Sequence, residues 1–511
     1  MPFAALSTLL VLAVTLGGCA GGADIGAACD RHSDCDSSLQ CVQRVCQARC
    51  SRAPDCGDGY SCDERGICNL AQLQPGEACT SEVDCASGLS CQITVDPSNR
   101  LIRRCTPQLT GAPAGEVCAV DTDCRNGTCA LGRCVDLCRV TRDCGAGTSC
   151  AQIPHIRAEG AMFGGCLVAN GVLSFPVPVP AQSSTLREPA FLPVPQGATF
   201  ASIVLSTAAP RTVGATRVTP PASAMPLFQL CPKDGDLTCT DAAQRTQFYA
   251  NKLRHRRETG LSVLAIPSTS LTALEPGMYR VQASSFHVDG SEGPAPTATA
   301  VVRMGTPTPL RLDLHFHFLD LSEHPCDAAF GRVRLDGASA QLEPFFQTDY
   351  LGALRSILQD QGALTVDRIT YEDLARPDLD GLEVANVGAL LRLGTHAQGI
   401  DVFFVRNLSP VGIQAFGPSP GPAGLAGTSK SGIVVGIDTL CYRSWRQLAR
   451  LTAHEIARYM GLYQNVEIDG HFDAIDDSDG TSNNLMFYSE LGGIELSAGQ
   501  RAILGRSPVL R

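Results

Sequence analysis

The chain has 511 residues, 25 of them cysteine, and a formal net charge of −11 at pH 7. A chain of this length has room for several domains. The acidic balance argues against a nucleic-acid partner, and no Gly-rich phosphate loop or dinucleotide fingerprint occurs at a strand-to-helix junction.

The first predicted element is a targeting segment. The run from Phe3 to Leu16 is apolar and uncharged, and it is too short to span a bilayer as a mature helix. It ends in Leu16-Gly17-Gly18-Cys19, which resembles a bacterial lipobox. The resemblance implies a signal peptide over residues 1–18, a lipid on Cys19, and export to the cell envelope or outer surface with the membrane as a partner through the lipid.

A cysteine-rich region follows over residues 19–170. Spacings of four or five intervening residues recur, so we predict an internal repeat of disulfide modules in an oxidising compartment. Apart from Cys19 the cysteines form groups of eight, four and eight: Cys29, Cys35, Cys41, Cys46, Cys50, Cys56, Cys62 and Cys68; Cys79, Cys85, Cys91 and Cys105; and Cys118, Cys124, Cys129, Cys134, Cys138, Cys144, Cys150 and Cys166. The spacing resembles Dickkopf-type and EGF-like modules, which implies a stalk or a partner-binding surface and leaves the connectivity open.

Residues 172–308 are predicted to be an all-β sandwich. Pro176-Val-Pro-Val-Pro180 opens a stretch rich in Ser, Thr and Val, with strand-like runs at 199–205, 261–266 and 278–283. The region is similar to the accessory domains of secreted bacterial peptidases. Cys231 and Cys239 flank a Pro-Lys-Asp-Gly-Asp turn and are predicted to pair.

Residues 310–511 are predicted to be an α/β domain of the α+β type. An alternating strand over 310–321 places His315 and His317 on one face, where they either pack or bind a metal. A helix over 348–361 and strands at 364–371, 400–405 and 432–437 follow. Cys326 and Cys441, the remaining two cysteines, are predicted to form a bridge.

The last long helix carries the chemistry. Ser444 and Gln447 match a capping box at its start. Leu451-Thr-Ala-His-Glu-Ile-Ala-Arg-Tyr-Met-Gly-Leu-Tyr-Gln464, followed by Asn484-Leu-Met-Phe-Tyr488, resembles the motif helix and Met-turn of the metzincin zinc peptidases. The resemblance implies His454 and Gln464 at metal-ligand positions, Glu455 as general base, Met486 in the Met-turn and Tyr488 near the metal.

One position departs from that pattern. Where the family has its second histidine, this chain has Arg458, whose guanidinium is always protonated and has no lone pair for a metal. Arg458 lies three residues after Glu455, so the two can pair on one helix face. We therefore expect the guanidinium to stand where the zinc ion would bind.

Other groups can still bind a metal. His471 is one alternative ligand, and Asp473 is another. The acidic run over Asp473–Asp479 is interpreted as a solvated loop, with calcium as an alternative occupant.

Three hypotheses follow. The first is an exported lipoprotein whose metzincin-like domain is a pseudopeptidase that binds a protein or peptide. The second is an active zinc endopeptidase with unorthodox ligands. The third is a surface adhesion protein that acts through its cysteine-rich modules.

Overall fold

The structure is a computed structural model, and it describes residues 27–36, 39–42, 45–48, 60–62, 66, 68–70, 73–158, 160–181, 188–230, 251–319, 335–410, 412–467, 470–472 and 480–511. The signal peptide, Cys19, the Cys231–Cys239 pair, Cys326 and the Asp473–Asp479 loop lie outside the described residues. Cys441 is disulfide-bonded, while its predicted partner lies outside that range. The chain forms two compact units, Met1–Cys91 with Arg104–Pro107, and Gln92–Arg103 with Gln108–Arg511.

The cysteine-rich region consists of modules of four cysteines. Within each described module the first cysteine pairs with the third and the second with the fourth. The bonds are Cys29–Cys41, Cys35–Cys46, Cys79–Cys91, Cys85–Cys105, Cys118–Cys129, Cys124–Cys134, Cys138–Cys150 and Cys144–Cys166. The predicted disulfide modules are thus present among the described residues, and the group from Cys118 to Cys166 divides into two repeats of four.

Short strands connect the cysteines of these modules. They are β1 (Leu39–Val42), β2 (Val45–Ala48), β3 (Tyr60–Cys62), β4 (Cys68–Leu70), β5 (Leu89–Val95), β6 (Leu101–Pro107), β7 (Cys129–Ala130), β8 (Arg133–Cys134), β9 (Thr148–Pro154) and β10 (Met162–Val168). Such small modules bury little apolar surface, so crosslinks replace a hydrophobic core.

In each of the four described modules, an aspartate organises the segment between the first two cysteines. The carboxylates of Asp34, Asp84, Asp123 and Asp143 each accept hydrogen bonds from two backbone N–H groups three and four residues earlier. In the sequence the same aspartate is the residue before the second cysteine, within the pattern Cys-x-x-x-x-Asp-Cys. The pattern has a local physical cause, since the carboxylate satisfies N–H groups that the tight turn leaves without partners.

The described residues between 171 and 304 form two antiparallel sheets. Their strands are β11 (Gly171–Pro176), β12 (Ala190–Val194), β13 (Ala198–Ser206), β14 (Thr212–Thr219), β15 (Phe228–Gln229), β16 (Glu258–Thr259), β17 (Leu261–Ile266), β18 (Gly277–Phe286) and β19 (Thr297–Met304). One sheet has the order β11-β19-β13-β17 and the other β12-β18-β14-β15, with β16 also on β14. All three strand-like runs of the sequence are strands here.

A five-stranded sheet forms the centre of the C-terminal region. The five strands of this sheet are β20 (Arg311–Leu319), β21 (Thr365–Leu374), β23 (Ile400–Val405), β25 (Ala415–Phe416) and β26 (Ile433–Gly436). Two further strands, β22 (Gly381–Glu383) and β24 (Asn407–Ser409), form a separate pair. The sheet order is β21-β20-β23-β26-β25, and β22 pairs with β24. The first four strands run parallel, while β25 is antiparallel and lies at the edge.

Helices flank this sheet. Four of them are Gly337–Leu342, Gly388–Leu391, Trp445–Tyr459 and Ala498–Leu504. A further continuous helical segment consists of Phe345–Gly352, Ala353–Ser356 and Ile357–Gln361, and its two ends have wider π-type turns. Leu314, Phe316 and Phe318 of β20 share one buried core with Leu448 and Ile456 of Trp445–Tyr459, which we call the motif helix. The opposite face of the sheet packs Leu319, Phe403 and Val405 into a second core.

Side chains join the antiparallel sheets to the C-terminal region. The buried guanidinium of Arg303 donates from Nη1 to the carbonyls of Ser507 (2.5 Å) and Leu510 (2.9 Å). Tyr463 donates its hydroxyl to the carbonyl of Arg254 at 2.9 Å. The Arg303 contacts hold strand β19 and the segment beyond the last helix against each other.

The disulfides indicate that the chain resides in an oxidising, extracellular or secreted environment. Among the described residues, no helix has the length and apolar character needed to cross a membrane.

Candidate functional site

The motif helix begins with the capping box that the sequence predicts. Ser444 accepts from the N–H of Gln447, and the Gln447 side chain accepts from the N–H of Ser444, which completes the capping box. The hydrophobic residues of the helix face the core, and His454 and Glu455 are both buried near its C-terminal end.

His454 is held as a neutral imidazole. Its Nδ1 donates to the carbonyl of Leu485 at 2.7 Å, which leaves the lone pair on Nε2. Burial, reinforced by the nearby Arg458, lowers the pKa of His454 to about 3. The tautomer and charge are therefore those that a metal-binding histidine adopts.

Glu455 is buried against a cation. Arg458 Nη1 lies 3.2 Å from Glu455 Oε2, so the ion pair predicted from the i, i+3 spacing is present. Burial raises the pKa of Glu455, while the Arg458 charge opposes that rise. Gly417 lies so close that a Cβ there would stand 2.8 Å from Glu455 Oε2, so a side chain at this position would displace the carboxylate.

The segment around Met486 packs beneath the helix. Met486 and Leu485 are fully buried, and the side chain of Asn484 accepts from the N–H of Met486 at 2.8 Å. Arg450 donates to the carbonyls of Leu485, Ser489 and Gly493, so it ties this turn to the helix. The metzincin-like motif does not include Arg450. The sequence feature that could have identified Arg450 is its position four residues before His454, which places a charged residue on the buried face of the helix.

A cavity of about 500 Å³ opens above these groups. Its wall contains His454, Glu455, Arg458, Gln464 and Tyr488, so the structure brings these five predicted site residues together. It is lined by Gly412, Ile413, Gln414, Ala415, Tyr442, Arg450, Leu451, His454, Glu455, Arg458, Gln464, Tyr488, Ser489 and Glu490.

His471 is not brought into the cavity. Its side chain is exposed, it is absent from the cavity wall, and its backbone carbonyl accepts from the N–H of Glu467. The suggestion that His471 replaces a missing ligand is therefore not supported by its position.

The donor set of the cavity does not fit a catalytic zinc ion. Such a site needs three protein ligands, typically histidine or carboxylate. Among the described residues of the wall, His454 supplies the one imidazole. Glu455 is engaged by Arg458, and the amide of Gln464 is a weak ligand. A guanidinium beside the site adds repulsion for a cation.

The clustered cysteines do not offer metal sites either. Groups such as Cys118, Cys124 and Cys129 bring three sulfur atoms together, but each sulfur is already in a disulfide. Zinc binds cysteine as the thiolate, and a sulfur in a disulfide is not a thiolate.

Comparisons with known proteins add little. No protein-family model matches the chain, and no curated protein matches it. Among solved structures, one match is metalloproteinase-II from Bacteroides fragilis, at 14% sequence identity and a TM-score of 0.23 over 39% of this chain. The chain spans about 60% of that protein's length, and a likeness this weak determines neither family nor activity.

Proposed function

We propose that the protein is an exported cell-envelope lipoprotein whose C-terminal region has a metzincin-like fold, lacks standard zinc ligation and binds a protein or peptide segment. The two antiparallel sheets are its sandwich-type accessory domain, and the cysteine modules are a stalk between that domain and a lipid on Cys19. The observation that carries the proposal is the Glu455–Arg458 ion pair in the wall of the cavity.

The charge balance of the cavity supports binding without hydrolysis. A zinc peptidase uses its glutamate as a base that accepts a proton from metal-bound water. Here the carboxylate of Glu455 is neutralised by Arg458 at 3.2 Å, and among the described residues that line the cavity His454 supplies the sole imidazole. Without a metal to lower the pKa of water, this glutamate has no activated nucleophile to deprotonate.

The edge strand supports a peptide as the ligand. Strand β25 is the outer strand of its sheet, and residues 412–415, at its start, line the cavity. Edge strands can pair with an extended peptide through their unpaired backbone groups. Tyr488, 43% exposed, provides an aromatic surface beside that edge.

Zinc content, measured on disulfide-intact protein that begins after Cys19, tests the proposal. We expect Arg458→His with Gln464→His to bind one zinc ion more than the natural chain, and His454→Ala added to that double variant to remove it. If the natural chain itself holds a zinc ion that His454→Ala removes, the cavity is a metal site and the proposal is wrong.

Assays of peptide hydrolysis and peptide binding provide a second test of the proposed function. With a mixed peptide pool, we expect no cleavage by the natural chain, and weaker retention of bound peptides by Tyr488→Ala. Arg446→Ala is the matched control, because Arg446 is exposed on the same helix and does not line the cavity. Cleavage that Glu455→Gln abolishes would restore the active-peptidase hypothesis.

A further inference from the structure

A second cluster of histidines lies on the other face of the sheet from the motif helix. Because side chains alternate along a strand, Leu314, Phe316 and Phe318 face the core shared with that helix, and His315 and His317 point the opposite way. The cluster therefore does not belong to the cavity of His454.

Three donor atoms converge in this cluster. His317 Nε2 and His396 Nδ1 each lie 2.7 Å from Asp401 Oδ1, and the three atoms are all within 4.8 Å of one another. His317 and Asp401 are each 2% exposed, whereas His396 is 27% exposed. The site is thus buried on the strand side and open to solvent on the side of His396.

His315 orients the cluster but does not belong to the donor set. Its Nδ1 is hydrogen-bonded to Thr370 Oγ1 at 2.9 Å, and its Nε2 donates to the carbonyl of Gln398 at 3.2 Å. With both nitrogens engaged, it stacks on the ring of His396 at 3.5 Å between centroids and an interplanar angle of 4°. Of the two alternatives left open by the sequence, the hydrogen bonds of His315 favour packing for that residue, and His396 rather than His315 lies beside His317 and Asp401.

The loop that carries His396 fits closely around the cluster. A Cβ at Gly394 would stand 2.7 Å from Asp401 Oδ2, and one at Gly399, where φ is +82°, would stand 2.8 Å from His315 Nε2. Both positions therefore need glycine, which lets the loop between Gly388–Leu391 and β23 bring the His396 ring over the sheet.

The second nitrogen of His317 has an orienting group nearby. Its Nδ1 is buried and forms no hydrogen bond, and Glu372 Oε2 lies 3.4 Å away. Histidines that bind a metal through one nitrogen commonly direct the other N–H toward a carboxylate. A small rotation of the half-exposed Glu372 would complete that contact.

We propose that His317 Nε2, His396 Nδ1 and a carboxylate oxygen of Asp401 bind a divalent transition metal, with Zn²⁺ as the expected ion. Two imidazoles and a carboxylate suit zinc, with a water molecule in the fourth position. Ligand atoms about 2.0–2.2 Å from one zinc ion lie roughly 3.3 Å apart. The two 2.7 Å contacts to Asp401 need to lengthen by only about half an ångström, and the movement falls on the partly exposed His396 side chain.

The experiment is a metal titration of the disulfide-intact chain after EDTA treatment and dialysis. We expect the natural chain to bind one Zn²⁺. In a separate titration it should bind one Co²⁺, whose spectrum should show visible absorption bands but no thiolate-to-Co²⁺ band. His396→Ala, in a partly exposed loop position, should lose the ion. His454→Ala should retain it, which separates this site from the cavity and from the outcome of the proposed function.

Two further variants keep the result interpretable. His396→Cys should keep the ion and add a thiolate-to-Co²⁺ band, which places residue 396 in direct contact with the metal. Glu372→Gln should weaken binding by roughly 10-fold to 100-fold. A natural chain that binds no Zn²⁺ or Co²⁺ at micromolar concentrations, or a folded His396→Ala variant that still binds it, would overturn the proposal and leave a cluster joined by hydrogen bonds alone.

Discussion

The guanidinium of Arg458 and the carboxylate of Glu455 form an ion pair at 3.2 Å in the wall of the C-terminal cavity, with side chains 28% and 9% exposed. Arg458 thus stands one helical turn from His454 and supplies the positive charge that a buried glutamate requires. The same pair therefore stabilises the buried carboxylate and occupies the glutamate that a zinc site would need as its base.

Removing this cation should destabilise the C-terminal region. We expect Arg458→Ala to lower the free energy of unfolding by about 1–3 kcal/mol, because it leaves a buried carboxylate without its partner. The single tryptophan, Trp445, lies in the motif helix, so its fluorescence during urea unfolding reports on this region. Arg446→Ala, which breaks an exposed 3.8 Å pair with Asp349, should change the value by less than about 0.5 kcal/mol. Equal effects of the two variants would contradict the importance of the Glu455 pair.

The buried His454 should make the region sensitive to acid. Its pKa of about 3 lies below the ordinary value of 6.5, so from pH 6.5 down to about 3 the unfolded chain binds a proton that the folded chain does not. Unfolding therefore becomes easier as pH falls, by about 2 kcal/mol at pH 5 from this residue. Tryptophan-monitored unfolding between pH 7 and 5 should show a weaker loss in His454→Gln than in the natural chain. His287→Gln, at an exposed position, should leave the profile unchanged.

The aspartate before the second cysteine should organise its own module. Backbone hydrogen bonds from Ala119 and Val120 lower the pKa of Asp123, so its contribution is present at neutral pH and is lost as pH falls through the lowered folded-state pKa. Asp123→Asn removes the charge, and we expect faster hydrogen–deuterium exchange over residues 118–124 at neutral pH. The neighbouring module between Cys138 and Cys166, measured by mass spectrometry in the same sample, should keep its protection. Unchanged exchange over 118–124 would show that the disulfides alone define the turn.

The buried Arg303 should hold the final segment in place. Burial lowers the pKa of Arg303 to about 10, so it remains charged at neutral pH and donates to two carbonyls of that segment. We expect Arg303→Met to cost about 2 kcal/mol, since those carbonyls lose a charged donor. Arg280→Met, at an exposed position of β18, is the control. Similar unfolding midpoints for the two variants would argue that the segment is held by Val509 and Leu510 packing instead.

Much of the local structure follows from neighbouring residues. The capping box at Ser444, the helical spacing after it and the alternation along β20 predict elements that the structure contains within a few residues, because caps and periodicity depend on groups close in the chain. The same is true of Arg458, whose chemistry excludes it as a ligand whatever the fold. Even the aspartate of each cysteine module is visible as a repeated pattern in the sequence.

The remaining features depend on how distant segments meet. His317 and Asp401 are 84 residues apart, and they meet because β20 and β23 are neighbours in the parallel sheet. His471 is seven residues from Gln464, yet it does not line the cavity that Gln464 lines. The sequence by itself determined the elements and the chemistry of each side chain. Only the tertiary structure decided which side chains converge, because strand order and loop direction are set by packing over the whole domain.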